Sequence, residues 1–215
     1  RAALEALPWD RLEDSAASFL QRFRGLALQA EGHAIEFDEH AASVAAVKYG
    51  RAVAHVVQLY RHLEARAGGR FELEVSLDET DTPTSHAEHA YVATELTRLG
   101  VRWVSLAPRF VGSFEKGVDY IGDVDAFRRD IAVHAAIARA LGPYKLSLHS
   151  GSDKFSLYAA AAEETRGAVH VKTAGTSYLE ALRAVAMVDP ELLREIYVFA
   201  RERYETDRAS YYVSA

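Results

Sequence analysis

Two histidines, His149 and His170, close short apolar runs. Polar loops follow: Ser150, Gly151, Ser152, Asp153 and Lys154 directly after the first, and Lys172 and Thr173 after the second, beyond Val171. Neutral imidazole is a common ligand for a divalent metal. A single histidine in such a place reads best as a hydrogen-bonded core residue; two at equivalent places favour a shared ion. Two ligands do not fill a shell, so a carboxylate must join them. Asp78, Glu79 and Asp81 follow another apolar run, FELEVSL, and suit either metal ligation or acid–base work. Ser85 and Glu88 have the spacing of a capping box and are assigned to helix capping.

Arg109, Lys154 and Lys172 would ring such a site with positive charge suited to an acidic substrate, Arg109 as a bidentate clamp on a carboxylate. Lys145 opens its run and lies at the wrong end. Lys172 has two other readings, a Schiff-base nucleophile and a solvated loop lysine. SGSDK, at a helix start, offers backbone N–H groups to an anion, with Asp153 as a site residue or simply the helix N-cap. His86 and His89 lie three apart without a carboxylate in a metalloprotease-like pattern, and read as surface or packing residues.

These residues need a frame that brings them to one rim. Residues 71–77, 102–106, 144–148 and 168–171 read as strands, each followed by a polar loop and a helix. The helices are expected over 86–98, 124–141, 153–164 and 177–187. Repeated strand–loop–helix order predicts parallel β/α units, whose ligands bind beyond the carboxyl ends of the strands. Upstream, residues 9–30 have the spacing of an amphipathic helix. An extended piece to Phe37 follows, then Asp38 as the N-cap of a long alanine-rich helix closed by Ala67-Gly68-Gly69. Downstream, a helix over 190–204 leads to a β-prone segment, 211–214, expected as a fifth strand. The expectation is one α/β domain over residues 1–215, with residues 1–32 as a helical lead-in.

The absence of cysteine excludes disulfides, thiolate metal sites and a cysteine nucleophile, and fits a cytoplasmic setting. The net charge of −6 argues against nucleic acid or an anionic membrane as partner. No apolar run approaches the roughly 20 residues of a membrane span. RAALEALPWDRLED reads as an amphipathic start, not a signal peptide. No glycine-rich dinucleotide fingerprint is present.

The segments VSLDETDTPTS, RFVGSFEKGVDYIGD, YKLSLHSGSDKFS and VHVKTAGTSYLEALRAVAMVDPELLREIY resemble the tagaturonate epimerase family, over about residues 34–215 and most strongly from Val75 onward. That resemblance implies the later part of a (β/α)8 TIM-type barrel, four to five parallel strands with flanking helices, incomplete within this chain. It implies a hexuronate epimerase that interconverts tagaturonate and fructuronate with a divalent metal (Zn, Mn, Ni or Co). His149 and His170 would ligate the metal. Glu79 would be the acid/base, with Asp78 the second choice. Arg109, Ser150, Asp153, Lys172 and Thr173 would line the sugar acid. The epimerised carbon is β to the ketone, so its C–H is not acidic. Retro-aldol cleavage and re-formation, with the metal as Lewis acid, avoids that difficulty. A metal-dependent aldolase, a sugar isomerase and an inactive fragment are the alternative readings. The missing strands leave room for a homo-oligomer in which another copy supplies the remainder.

Overall fold

The computed structural model describes residues 2–173 and 178–209. It opens with a short helix, α1 (Ala2–Glu5), and with α2 (Ala16–Phe23), capped where the Ser15 hydroxyl accepts the Ser18 N–H. Residues 9–30 are therefore not one helix. After Phe23 the chain turns at Gly25 into an antiparallel hairpin, β1 (Leu26–Ala30) and β2 (His33–Phe37). Glu31 and Gly32 both have positive φ, 48° and 89°, the backbone that a two-residue hairpin turn requires. Ile35 and Phe37 alternate inward while Ala34 and Glu36 face out. The helical lead-in expected over 1–32 thus ends at Phe23, because the Glu-Gly turn lets the following alternation pair with itself.

Asp38 caps α3 (Glu39–Ala67) by accepting the Ala41 N–H at 2.6 Å. The Phe19, Phe23, Phe37 and Tyr91 rings form one buried cluster, with Phe19–Phe23 and Phe23–Phe37 centroids 4.9 and 5.1 Å apart. It fastens the lead-in and the hairpin to the β/α part of the fold.

That part runs β3 (Glu74–Ser76), α4 (His86–Arg98), β4 (Ser105–Ala107), α5 (Val124–Leu141), β5 (Lys145–Leu148), α6 (Phe155–Glu164) and β6 (Val169–Val171). The strands form a four-stranded parallel sheet in chain order, β3-β4-β5-β6. All four expected strands are present, each shorter than its apolar run. Two further helices come next, α7 (Tyr178–Val188) and α8 (Pro190–Arg208), which contact each other. The expected strand at 211–214 lies outside the described residues, as do Gly175 and Thr176.

Side chains alternate across a strand, and here the two faces differ in kind. Val75, Leu77, Leu106, Leu146 and Leu148 are buried in the core with the helices. Glu74, Ser105, Ser147, His149 and His170 occupy the alternate positions and are joined by hydrogen bonds. The sheet thus has an apolar face toward α4, α5 and α6 and a polar face that carries the candidate chemistry.

Ser85 caps α4 with a reciprocal box: its hydroxyl accepts the Glu88 N–H at 3.2 Å, and Glu88 Oε2 accepts the Ser85 N–H at 2.8 Å. Ser85→Ala removes one half of that box. The expected loss is about 1 kcal/mol of folding stability, read by chemical denaturation.

Candidate active site

Glu74 is the centre of the polar face. Its Oε1 accepts from His149 Nε2 at 2.7 Å, and its Oε2 from His170 Nδ1 at 2.8 Å and from the Ser105 hydroxyl at 2.5 Å. Ser147 Oγ lies 3.1 Å from the same His170 nitrogen. The four strands contribute Glu74, Ser105, Ser147 and His170, one each, with His149 just beyond β5, and parallel pairing places Glu74 beside Ser105 and Ser147 beside His170. Burial opposes ionisation of Glu74, but hydrogen bonds from Ser105, His149, His170 and Ser147 bring its pKa down to about 2.

Asp78, just beyond β3, faces the other side of His149: its Oδ1 is 3.1 Å from Nδ1 and also accepts the Ser76 hydroxyl. His149 therefore has a carboxylate oxygen at each ring nitrogen. A neutral imidazole carries one N–H. Imidazole and carboxylate are donor types that suit a divalent metal, but no three of Glu74, Asp78, His149 and His170 bring their ligand atoms within 4.8 Å of one another.

Beside this cluster is a cavity of about 400 Å³. Asp78, His149 and Ser150 form one wall, and the loop after β4, including Arg109, Phe110 and Lys116, forms the other. Ser150 and Asp153 take left-handed backbone, with φ of 48° and 63°. Such strain in non-glycine residues concentrates at functional loops. Gly151 is required by close approach: a Cβ there would lie 2.6 Å from Val171 Cγ1 and 2.8 Å from the Leu148 carbonyl. Its N–H donates to the Lys172 carbonyl at 3.0 Å, which holds the loops after β5 and β6 together.

Residues 5–215 match the sequence model of the tagaturonate epimerase family. The chain belongs to that family. It is 53% identical over 184 residues to the tagaturonate/fructuronate epimerase of Thermotoga maritima, which covers 86% of this chain and 38% of that protein. It superimposes with a TM-score of 0.87 and 41% identity on the native and the one-glycerol crystal structures of the fructuronate-tagaturonate epimerase of Cohnella laeviribosi. Those matches cover 100% of this chain and 43% of that one. The chain thus spans less than half the length of these relatives.

Within this family member the predicted site residues separate into three groups. Asp78, His149, Arg109 and Ser150 meet at the cavity, and His170 joins them through Glu74. Glu79, Lys172 and Thr173 are exposed and outside the cavity lining. Asp153 is fully buried and also outside the lining; α6 begins two residues later, with Lys154 at its N-cap position. Lys154 is not a surface cation. It is buried, and its ammonium donates to the Glu115, Val118 and Ser152 carbonyls at 2.7, 2.6 and 3.1 Å, tying the loop after β4 to the loop after β5.

The central residue, Glu74, is not among the residues that the sequence pattern singles out. It opens β3, at the opposite end of that strand from the carboxyl-end loop where the candidates of that unit lie. A signal existed: Glu74, Ser76 and Asp78 are polar at alternate positions in an otherwise apolar run, as are Ser147 and His149. His89 is fully buried against His134 and Tyr144, a packing residue as expected, whereas His86 Nε2 meets a carboxylate that its own helix does not supply, Asp130 of α5, at 3.1 Å.

Proposed function

We propose that the protein from which this chain comes is a metal-dependent epimerase of D-tagaturonate and D-fructuronate. The observation that carries this reading is the Glu74–His149–His170 cluster, flanked by Asp78 and open to an Arg109-lined cavity, in a chain of this family. The β/α units are read as the later part of a TIM-type barrel. Parallel strands paired in chain order support this, as do α4, α5 and α6 lying side by side and a polar sheet face opposite them.

Glu74, His149 and His170 would hold the divalent cation, which supplies Lewis-acid stabilisation of negative charge on the substrate. Arg109 holds the sugar acid's carboxylate. Asp78 is the base in this reading, in place of Glu79. Its Oδ1 is engaged by Ser76 and His149, and among the described residues its Oδ2 accepts no hydrogen bond. Asp78 removes the proton of the β-hydroxyl, the adjacent C–C bond breaks to give an aldehyde, and its electron pair passes to the ketone half as an enediolate. The aldehyde turns, the bond re-forms on its other face, and Asp78 returns the proton.

Incubating the full-length protein with fructuronate tests the reaction class. An epimerase gives tagaturonate alone, an aldolase releases two halves, and an isomerase moves the carbonyl. In D2O, the retro-aldol route leaves the C–H of the epimerised carbon undeuterated. Deuterium at that carbon would overturn the route. Arg109→Ala is expected to raise KM for the sugar acid by about 10–100-fold with a smaller change in kcat, since it removes a charge-assisted contact made before the transition state.

A further inference from the structure

A second cluster lies behind the cavity wall. His86 at the start of α4, and Asp130 and His134 on α5, present ligand atoms that all lie within 4.8 Å of one another. Among the described residues no other group of three such side chains does so. His86 Nε2 and His134 Nε2 lie 3.1 and 3.7 Å from the same oxygen, Asp130 Oδ1. Two ligands of a tetrahedral zinc ion, each about 2.0–2.1 Å from the metal, are separated by roughly 3.3 Å, between these two values. The three side chains are 36%, 13% and 0% exposed, so the cluster is closed inward and open to solvent through His86.

His134 Nε2 is buried and has no hydrogen-bond partner. A buried polar atom left in that state is uncommon and costly. The other ring nitrogen explains how it could serve as a ligand. His134 Nδ1 lies 2.8 Å from His89 Nδ1, and His89 Nε2 lies 2.7 Å from the Tyr144 hydroxyl. If His134 Nδ1–H donates to His89 and His89 Nε2–H donates to Tyr144, Nε2 of His134 keeps a bare lone pair, 3.7 Å from Asp130 Oδ1. A metal-bound histidine is commonly fixed in this way, by donating its second N–H to a neighbour. Burial above all, with His89 and His86 nearby, pushes His134 well below the ordinary histidine value, against the opposing effect of Asp130 and the Thr84 backbone.

We propose that His86, Asp130 and His134 form a second divalent-cation site, of zinc-like chemistry and with an open position for water. It would fasten α4 and α5 to the cavity wall: Asp130 Oδ2 accepts the Val111 N–H at 3.3 Å, and the Phe110 ring stands edge-on to His134 at 5.5 Å. This site does not depend on the proposed reaction.

The test uses untagged full-length protein carrying His149→Gln and His170→Gln, titrated with cobalt chloride alone. One cobalt equivalent should still bind, with visible absorption of nitrogen and oxygen ligation. Asp130→Asn or His86→Gln added to this background should weaken binding by at least about tenfold. No cobalt binding by the folded double variant, or an affinity unmoved by both added substitutions, would overturn the proposal. A zinc-soaked crystal of the unmutated protein decides the same question should that variant not fold. An anomalous peak at His134 Nε2 supports the site; its absence there overturns it.

Discussion

Glu74→Gln in the full-length protein is expected to lower kcat for epimerisation by on the order of 10³–10⁴ while leaving the fold intact. Glutamine keeps the shape of Glu74 but loses its charge and one acceptor oxygen. The carboxylate accepts from His149, His170 and Ser105 together, so all three side chains lose part of their orientation. Divalent-metal affinity should fall by more than about 100-fold, since a direct ligand matters at least as much as the partners that orient one. Metal content and steady-state rates, measured on the same preparation, check this. A variant that keeps both its metal and its rate would remove Glu74 from the centre of the site.

The pH dependence of stability offers a second reading of the same residue. In the metal-free protein the Glu74 pKa falls from 4.5 to about 2. A depressed carboxylate pKa means that the folded state holds the ionised form better. Its stabilisation is complete above the unfolded value and fades as pH falls through the window from about 4.5 to 2. The stability of the unmutated protein should therefore drop relative to the Glu74→Gln variant across that window. Parallel urea denaturation curves at several pH values would show it. A gap that stays constant would contradict the assigned hydrogen bonds.

Asp78→Asn is expected to cost about 10²–10⁴ in kcat, whereas Glu79→Gln should change it by less than about threefold. The two acids are adjacent in sequence but differ in surroundings. Asp78 lines the cavity and lies 3.1 Å from His149, while Glu79 is exposed and outside the lining. Both variants should be made in the full-length protein and assayed at saturating fructuronate, so that kcat is read separately from binding. A dead Glu79→Gln variant beside an active Asp78→Asn variant would reverse the roles. The structure and the chain order favour different residues here because a strand's alternation carries through its last residues. Ser76 and Asp78 fall on the polar face, and the residue after them falls off it.

Much of the frame was legible in advance. The Ser85 cap, the Asp38 cap and the four apolar runs followed by polar loops are local signals, set by backbone hydrogen bonding and by the period of the side chains. The limits of α4 and α5 follow from them directly. The first 30 residues misled because Leu12, Phe19, Leu20 and Phe23 keep a helical spacing up to the Gly25 turn and Leu26 continues it into β1. That strand is stabilised by pairing with β2, which a spacing count does not include.

The sequence alone determined the β/α order, the family, the lack of thiol chemistry and the place of His149 at the end of β5; His170 falls within β6. All of these reside in residue types and short spacings. Only the tertiary structure decided which carboxylates the histidines meet. Glu74 is separated by 75 residues from His149 and by 96 from His170, and parallel pairing of β3 through β6 closes that gap. It likewise brought Asp130 to His86 across 44 residues, and buried Lys154 under the loop it was expected to charge. Such contacts depend on register and packing between distant segments, and no local pattern encodes them.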